Sequence, residues 1–239
     1  MSGASSVTPP PGVVVVIPAF NEERRIAATV AAARTLLSVV AIVVADDGSH
    51  DATARLAEAA GATVVRHRHR RGKAAAMTTG AAQARRDGYV AHAVLFLDAD
   101  LEASAGSAGA LVSPVLAGAA DMTVAILPPA VGAGGHGFVV RLAASGIDRA
   151  TGWRPVAPLS GQRCVTRELL DAVQPLARGF GVEVGLTIDA LRRGARVVEC
   201  EVPLGHRVTG RGWRDQVHRA RQYRDVRLAL AARGVVRVG

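Results

Sequence analysis

Aromatic residues are scarce: four Phe, two Trp and two Tyr make up 3% of a chain of 239 residues. A core must therefore be built from Val, Leu, Ile and Ala. Few rings are on hand to stack the bases of single-stranded nucleic acid. Cysteine is nearly absent. Cys164 and Cys200 lie far apart and lack the paired spacing of a metal site. They read as reduced thiols, buried as small hydrophobes in a cytoplasmic protein. No run approaches the ~18 apolar residues that a membrane helix requires. The opening stretch, 1–12, is rich in Ser and Pro and has no basic segment ahead of an apolar core. It reads as a disordered tail rather than a secretory signal. Lysine occurs once, as Lys73, in a total of 29 Lys plus Arg. Arg and Lys are not interchangeable, so a lone lysine in an Arg-rich chain marks a place where a compact point charge is wanted, or is drift.

What is present is apolar and basic. Hydrophobic residues make up 49% of the chain, enough for a large globular core. The formal net charge is +9, and it is unevenly spread. Beyond Gly205 there are nine arginines against Asp215 and Asp225, and 66–73 holds five cations. Such patches suit polyanions: phosphates, nucleic acid or an anionic membrane surface.

The first half alternates two periodicities. Continuous apolar runs predict buried strands over 13–17, 39–45, 62–66 and 93–97. Between them, 3- and 4-residue spacing predicts helices over 22–37, 51–60 and 73–87. That order implies an α/β fold with a mostly parallel, Rossmann-like central sheet flanked by helices. Ligands bind beyond the carboxyl ends of such strands. Three of those ends carry polar clusters: Pro18-Ala19-Phe20-Asn21-Glu22, Asp46-Asp47-Gly48-Ser49 and Asp98-Ala99-Asp100. The second half is less regular. It predicts a strand over 121–126, a mobile Gly/Pro-rich loop over 128–154, helices over 167–173 and 184–193, a strand over 196–202 and a long basic helix over 213–232.

Asp98 and Asp100, two residues apart just past an apolar strand, can face one hard cation. Mg²⁺ or Mn²⁺ prefers oxygen ligands, and a nucleoside diphosphate supplies the rest. Of Asp46 and Asp47, one is expected to meet a ligand and the other to serve the turn before the helix.

Four stretches, VVVVIPAFNEERRI, VVADDGSHDAT, RRGKAAAMTTGA and VLFLDAD, resemble in order and spacing the signatures of family 2 glycosyltransferases, which have the GT-A fold. The likeness covers 13–102 strongly. It continues more weakly through LSGQRCVTRELLD and GFGVEVGLTIDALRRGARVVECEVPLGHRVTGR, which are similar to bacterial polyprenyl-phosphate and related sugar transferases. The resemblance implies one GT-A domain over 13–210, with a nucleotide-binding half at 13–102 and an acceptor half at 103–210. A basic helical extension then covers 211–239. It also implies metal-dependent, inverting transfer of a sugar from a nucleotide donor, UDP being the commonest in the family. The acceptor would be a polyprenyl phosphate or another small hydroxyl or phosphate compound of cell-envelope metabolism.

Roles follow residue by residue. Pro18, Ala19 and Glu22 would line the base pocket, Asp46 or Asp47 would hold base or ribose, and Lys73 would meet the base edge or the diphosphate. Asp98 would touch ribose and metal, and Asp100 would ligate the metal. Many members carry an acidic pair in the second half with one carboxylate as base; here only Glu183 stands there. Either Glu183 is the base, or a phosphate acceptor needs none, or Glu183 caps the next helix. His206 would complete the metal shell, with Arg207 and Arg211 gripping the diphosphate. Arg163 is a further candidate near the acceptor.

Rival readings are weaker. A dinucleotide fold needs Gly-x-Gly-x-x-Gly after the first strand, and none is there. A nucleic-acid-binding module would use the basic patches but leaves three acidic strand ends unexplained, so no nucleic-acid partner is expected. A catalytically inactive sugar-nucleotide sensor keeps the same residues. The basic helix is expected to rest on the inner face of an anionic membrane, or to pair its arginines with Glu199, Glu201 or a second copy of the chain in a homodimer.

Overall fold

Val13, Val14, Val15, Val16 and Ile17 are all fully buried because both faces of their strand are covered. In the structure, a computed structural model, this is β1 (Val13–Ala19), which lies inside the sheet with parallel neighbours on both sides. The structure describes residues 12–89, 91–128, 137–205 and 213–236, and side chains within all of these except 213–219. Val13, Val15 and Ile17 face one hydrophobic cluster, and Val14 and Val16 face another. Their alternation is real but invisible in composition, since both sides are apolar.

Among the described residues, seven strands form one sheet in the order β3-β2-β1-β4-β6-β5-β7. The others are β2 (Val39–Asp46), β3 (Thr63–Arg66), β4 (Ala93–Phe96), β5 (Met122–Ile126), β6 (Arg163–Thr166) and β7 (Val197–Glu201). Only β6 runs against its neighbours, pairing antiparallel with β4 and β5. One face is covered by α1 (Ile26–Ala33), α2 (Thr53–Ala59), a 3-10 helix at Glu102–Ala108 and the α4 (Gly109–Leu116) that follows it. The other is covered by α3 (Lys73–Arg86), α6 (Arg167–Ala172) and α7 (Val182–Arg192).

Two expectations need correction. The stretch 128–154 is not one long loop: Gly137–Thr151 is helix α5, with Val139, Ala143 and Ile147 buried. That spacing was in the sequence, but the neighbouring glycines and prolines obscured it. The expected mobility of 129–136 lies outside the described residues. The basic segment is also not an appendage. Helix α8 (Trp213–Ala231) buries Val226, Ala229 and Leu230, and Val226 and Leu230 pack in a third cluster with α5 and α7. These three apolar residues therefore face protein rather than lipid, whereas Ala220 and Leu228 are exposed. Glu199 instead accepts the backbone N–H groups of Val156 and Ala157 at 2.8 and 2.6 Å. Among the described residues no helix is long and apolar enough to cross a membrane.

Leu230→Ala should therefore lower stability by about 3 kcal/mol, the cost of a cavity in a packed cluster. Urea unfolding measures it. A change under about 0.5 kcal/mol, as at a surface position, would show that α8 is only loosely attached.

Candidate active site

The ends of β1 and β2 are stitched together by short polar side chains. Asn21 donates its backbone N–H to Ser49 Oγ at 2.9 Å, and His50 N–H donates to Asn21 Oδ1 at 3.0 Å. Asn21 takes a left-handed backbone, φ 55°, which asparagine tolerates better than most residues. This turn brings Pro18, Ala19 and Phe20 to a cavity of about 430 Å³, whose other walls include Asp47, Arg70, Gly72 and Lys73. Glu22 is not among the lining residues. Its carboxylate meets Arg25 at 3.2 Å, and Arg25 in turn reaches Glu102.

Asp46 and Asp47 divide their duties. Asp46 is wholly enclosed, accepts Ser49 N–H at 2.9 Å and lies 3.0 Å from Arg66 Nε, so it cannot touch a ribose. Its Oδ2 satisfies no hydrogen-bond geometry among the described residues despite that charge contact. Asp47 lines the cavity but is also heavily engaged. Oδ1 takes the N–H of Arg71 at 2.7 Å and Nδ1 of His67 at 2.8 Å, while Oδ2 takes the N–H of Gly72 at 2.7 Å. Asp47 thus shapes the 67–72 turn that delivers Lys73 to the start of α3.

Lys73 is the hub. Its Nζ lies 2.8 Å from Asp98 Oδ1 and 3.0 Å from Glu183 Oε1. Burial alone would lower its pKa, but the charges of Asp98 and then Glu183 outweigh this and raise it, so the ammonium is firmly protonated. Asp98 Oδ2 accepts from Gln162 Nε2 at 2.6 Å. The approach depends on Gly161, where a Cβ would stand 2.3 Å from Lys73 Nζ and 3.2 Å from Asp98 Oδ1. Glu183 sits in the first turn of α7, where the helix dipole favours a carboxylate. Its side chain is 8% exposed, and the ammonium of Lys73 is its ion partner.

Asp100 differs from Asp98. No side chain among the described residues donates to it. Burial, and next the charge of Asp98, raise its pKa. Two carboxylates that disfavour each other's charge fit a hard divalent cation, with the remaining places open to diphosphate oxygens. Among the described residues no group of three His, Cys, Asp or Glu could hold an ion. His206, Arg207 and Arg211 lie outside the described residues.

Arg163 is a correction. It is 1% exposed, donating Nε to Ser160 O and Nη1 to Thr187 Oγ1, each at 2.7 Å. Burial lowers its pKa to about 10, against the charges of Glu183 and Glu199. It braces the 158–163 segment and offers no face to an acceptor. Its neighbour Gln162, which the sequence reading passed over, is the residue that reaches Asp98. Consecutive residues in extended chain turn to opposite sides, and a charged residue drew attention to the wrong one. Sequence reasoning also missed the far wall of the cavity: Gly179, Phe180, Arg221, Arg224 and Asp225. A hollow of about 460 Å³ behind Asp225 carries none of the strand-end carboxylates.

The geometry matches known proteins. The chain matches the Glycosyl transferase family 2 model over residues 14–173. It is similar to glucosyl-3-phosphoglycerate synthase from Mycobacterium tuberculosis solved with Mg²⁺ and uridine diphosphate, with a TM-score of 0.79 at 28% identity over 96% of this chain and 81% of that one. The same enzyme with Mn²⁺, UDP-glucose and phosphoglyceric acid gives a TM-score of 0.78 at 28% identity, over 96% and 81% of the two chains. No curated protein matches the chain significantly. With its mostly parallel sheet and its family match, the chain belongs to glycosyltransferase family 2 and is a nucleotide-sugar-dependent glycosyltransferase.

Proposed function

We propose that the chain transfers a hexosyl group from a UDP-sugar to a small phosphorylated hydroxy compound, with a divalent cation between Asp98 and Asp100. The observation that carries this reading is the meeting of Lys73, Asp98 and Glu183 at 2.8 and 3.0 Å, with Lys73 itself on the wall of the cavity formed by Pro18, Ala19 and Asp47. The similar mycobacterial synthase was solved with UDP, Mg²⁺ or Mn²⁺, UDP-glucose and phosphoglyceric acid, which supports the choice of donor, metal and acceptor class. A polyprenyl phosphate is the less favoured acceptor, since Val226 and Leu230 of α8 pack on α5 and α7 rather than toward a lipid surface.

In the reaction, the bond from the anomeric carbon to the diphosphate breaks, the acceptor hydroxyl oxygen bonds to that carbon, its proton passes to an oxygen of the departing diphosphate, and UDP leaves. A divalent cation there would neutralise charge gathering on the diphosphate. Pro18, Ala19 and Phe20 form the wall for the base, and Asp47 holds that wall in shape. Asp98, steadied by Lys73 and Gln162, presents its carboxylate to ribose and metal. His206, Arg207 and Arg211 remain proposed closers of the diphosphate. Inversion at the anomeric carbon remains the family's implication, and proton NMR of the product reads it directly.

Glu183 acts, on this reading, as a positioning residue that holds Lys73 rather than as a base. Glu183→Gln should raise the donor KM about 10-fold, the scale of one lost charge-assisted bond, and leave the shape of the kcat–pH profile unchanged. Loss of the acidic limb of that profile with an unchanged donor KM would make Glu183 the base instead.

The function itself is tested by thermal shift with UDP, GDP and TDP, with and without Mn²⁺, followed by mass spectrometry of UDP-glucose reactions with 3-phosphoglycerate and with a polyprenyl phosphate. UDP with Mn²⁺ should stabilise most, because ligand bound only to the native state raises apparent stability. Stabilisation by GDP alone, or product only on the lipid, would overturn the donor or the acceptor.

A further inference from the structure

Four cations line the cavity, and they are not equivalent. Lys73 is shared between Asp98 and Glu183. Arg70 lies over the ring of Phe20, 4.1 Å from its centroid. The other two, Arg221 and Arg224, come from α8 and are three residues apart, so they lie on the same side of the helix. Arg224 leans on Asp225 Oδ1 through Nε and Nη2 at 3.2 and 3.0 Å. Arg221 is exposed and has no acidic partner among the described residues.

The helix that carries them is held in place. Asp225 Oδ2 accepts the N–H of Phe180 at 3.2 Å. Gly179 has φ +59°, and a Cβ there would stand 2.1 Å from Asp225 Oδ2; at Gly181 it would stand 2.6 Å from both Ala229 Cβ and the carbonyl oxygen of Asp225. Only glycines let the backbone at 179–181 come this close to α8. Val226, Ala229 and Leu230 then bury the same helix against the body. The helix backbone that carries both guanidiniums is thus fixed beside the cavity before any ligand arrives. A planar guanidinium offers a phosphoryl group two parallel N–H donors, and Arg is the residue suited to that grip.

We propose that Arg221 and Arg224 form a phosphoryl-binding rim, so that α8 is a wall of the substrate site rather than a membrane-docking arm. This rests on the reading of the cavity as the donor site. The phosphoryl group belongs either to the nucleotide or to a phosphorylated acceptor, and the experiment separates the two.

The full-length R221Q/R224Q variant is compared with wild type and with R154Q, whose guanidinium sits on the surface beside Asp148 and outside the cavity. Calorimetry with Mn²⁺ measures affinity for UDP and for uridine, and kinetics compares 3-phosphoglycerate with glycerate. If the rim holds the nucleotide, the UDP Kd rises about 10-fold or more while uridine binding is unchanged, the scale of a lost charge-assisted pair. If it holds the acceptor, the KM for 3-phosphoglycerate rises similarly while the UDP Kd and glycerate kinetics stay put. Either result supports the rim; a general loss of fold would weaken uridine as well and so is distinguishable. Unchanged UDP affinity and unchanged acceptor kinetics overturn it. So does a variant that loses only its attachment to vesicles of anionic phospholipid, which would return α8 to a membrane role. Failure of wild type to bind UDP at all would remove the donor reading itself.

Discussion

Asp100→Asn should lower kcat roughly 10³-fold, since the contribution of a correctly held cation to the transition state is several kcal/mol. The fold should not suffer. Burial and the charge of Asp98 already make the ionised form of Asp100 unfavourable, and no side chain among the described residues donates to it. A folded-state pKa above the unfolded one means that the ionised carboxylate works against folding at neutral pH. Its neutral replacement should therefore leave the melting temperature unchanged or slightly higher. Activity across a Mn²⁺ titration, with a melting curve for each variant, checks both halves. Near-normal turnover in Asp100→Asn, or undiminished turnover of wild type in excess chelator, would defeat the metal assignment.

Gly161→Ala should reduce kcat/KM about 100-fold, close to 2.7 kcal/mol of lost transition-state stabilisation, with little change in stability. The added Cβ would stand 2.3 Å from Lys73 Nζ, so the ammonium must move. It is the far end of a flexible chain and can do so cheaply. What it cannot do is move and still sit 2.8 Å from Asp98 and 3.0 Å from Glu183. The damage thus falls on the arrangement of charges rather than on packing, which is why activity and stability should separate. Lys73→Arg should behave similarly, because a guanidinium cannot occupy the niche that Gly161 leaves for a compact ammonium. Steady-state kinetics with urea unfolding decides the matter; normal kcat/KM in Gly161→Ala would show that the Lys73 contacts are incidental to turnover.

The parallel core strands and the three strand-end clusters were legible from the chain alone. Runs such as Val13 to Ile17 carry a local signal, since a strand covered on both faces must be apolar at every position. The lone Lys73 likewise stood out by chemistry before any contact was known. Strand β6 did not, because Arg163, Cys164, Val165 and Thr166 form a short segment whose one charged residue argues against burial. Arg163 is nevertheless buried, since Ser160 O and Thr187 Oγ1 accept its N–H groups. Ser160 contributes only its backbone carbonyl and Thr187 lies on a distant helix, so neither leaves a pattern in local sequence.

Composition and periodicity therefore settled which elements form the parallel half of the sheet and which strand ends carry carboxylates. Both follow from short-range rules of pleat, helix and turn. Long-range packing settled the rest: that Asp47 lines the cavity and Asp46 does not, that Gln162 rather than Arg163 meets Asp98, and that a basic helix near the end of the chain closes a cavity begun at Pro18. The arginines of α8 read as a charged surface in sequence because charge alone carries no direction. Burial of Val226, Ala229 and Leu230 against the body supplies that direction, placing Arg221 and Arg224 at the mouth of the site.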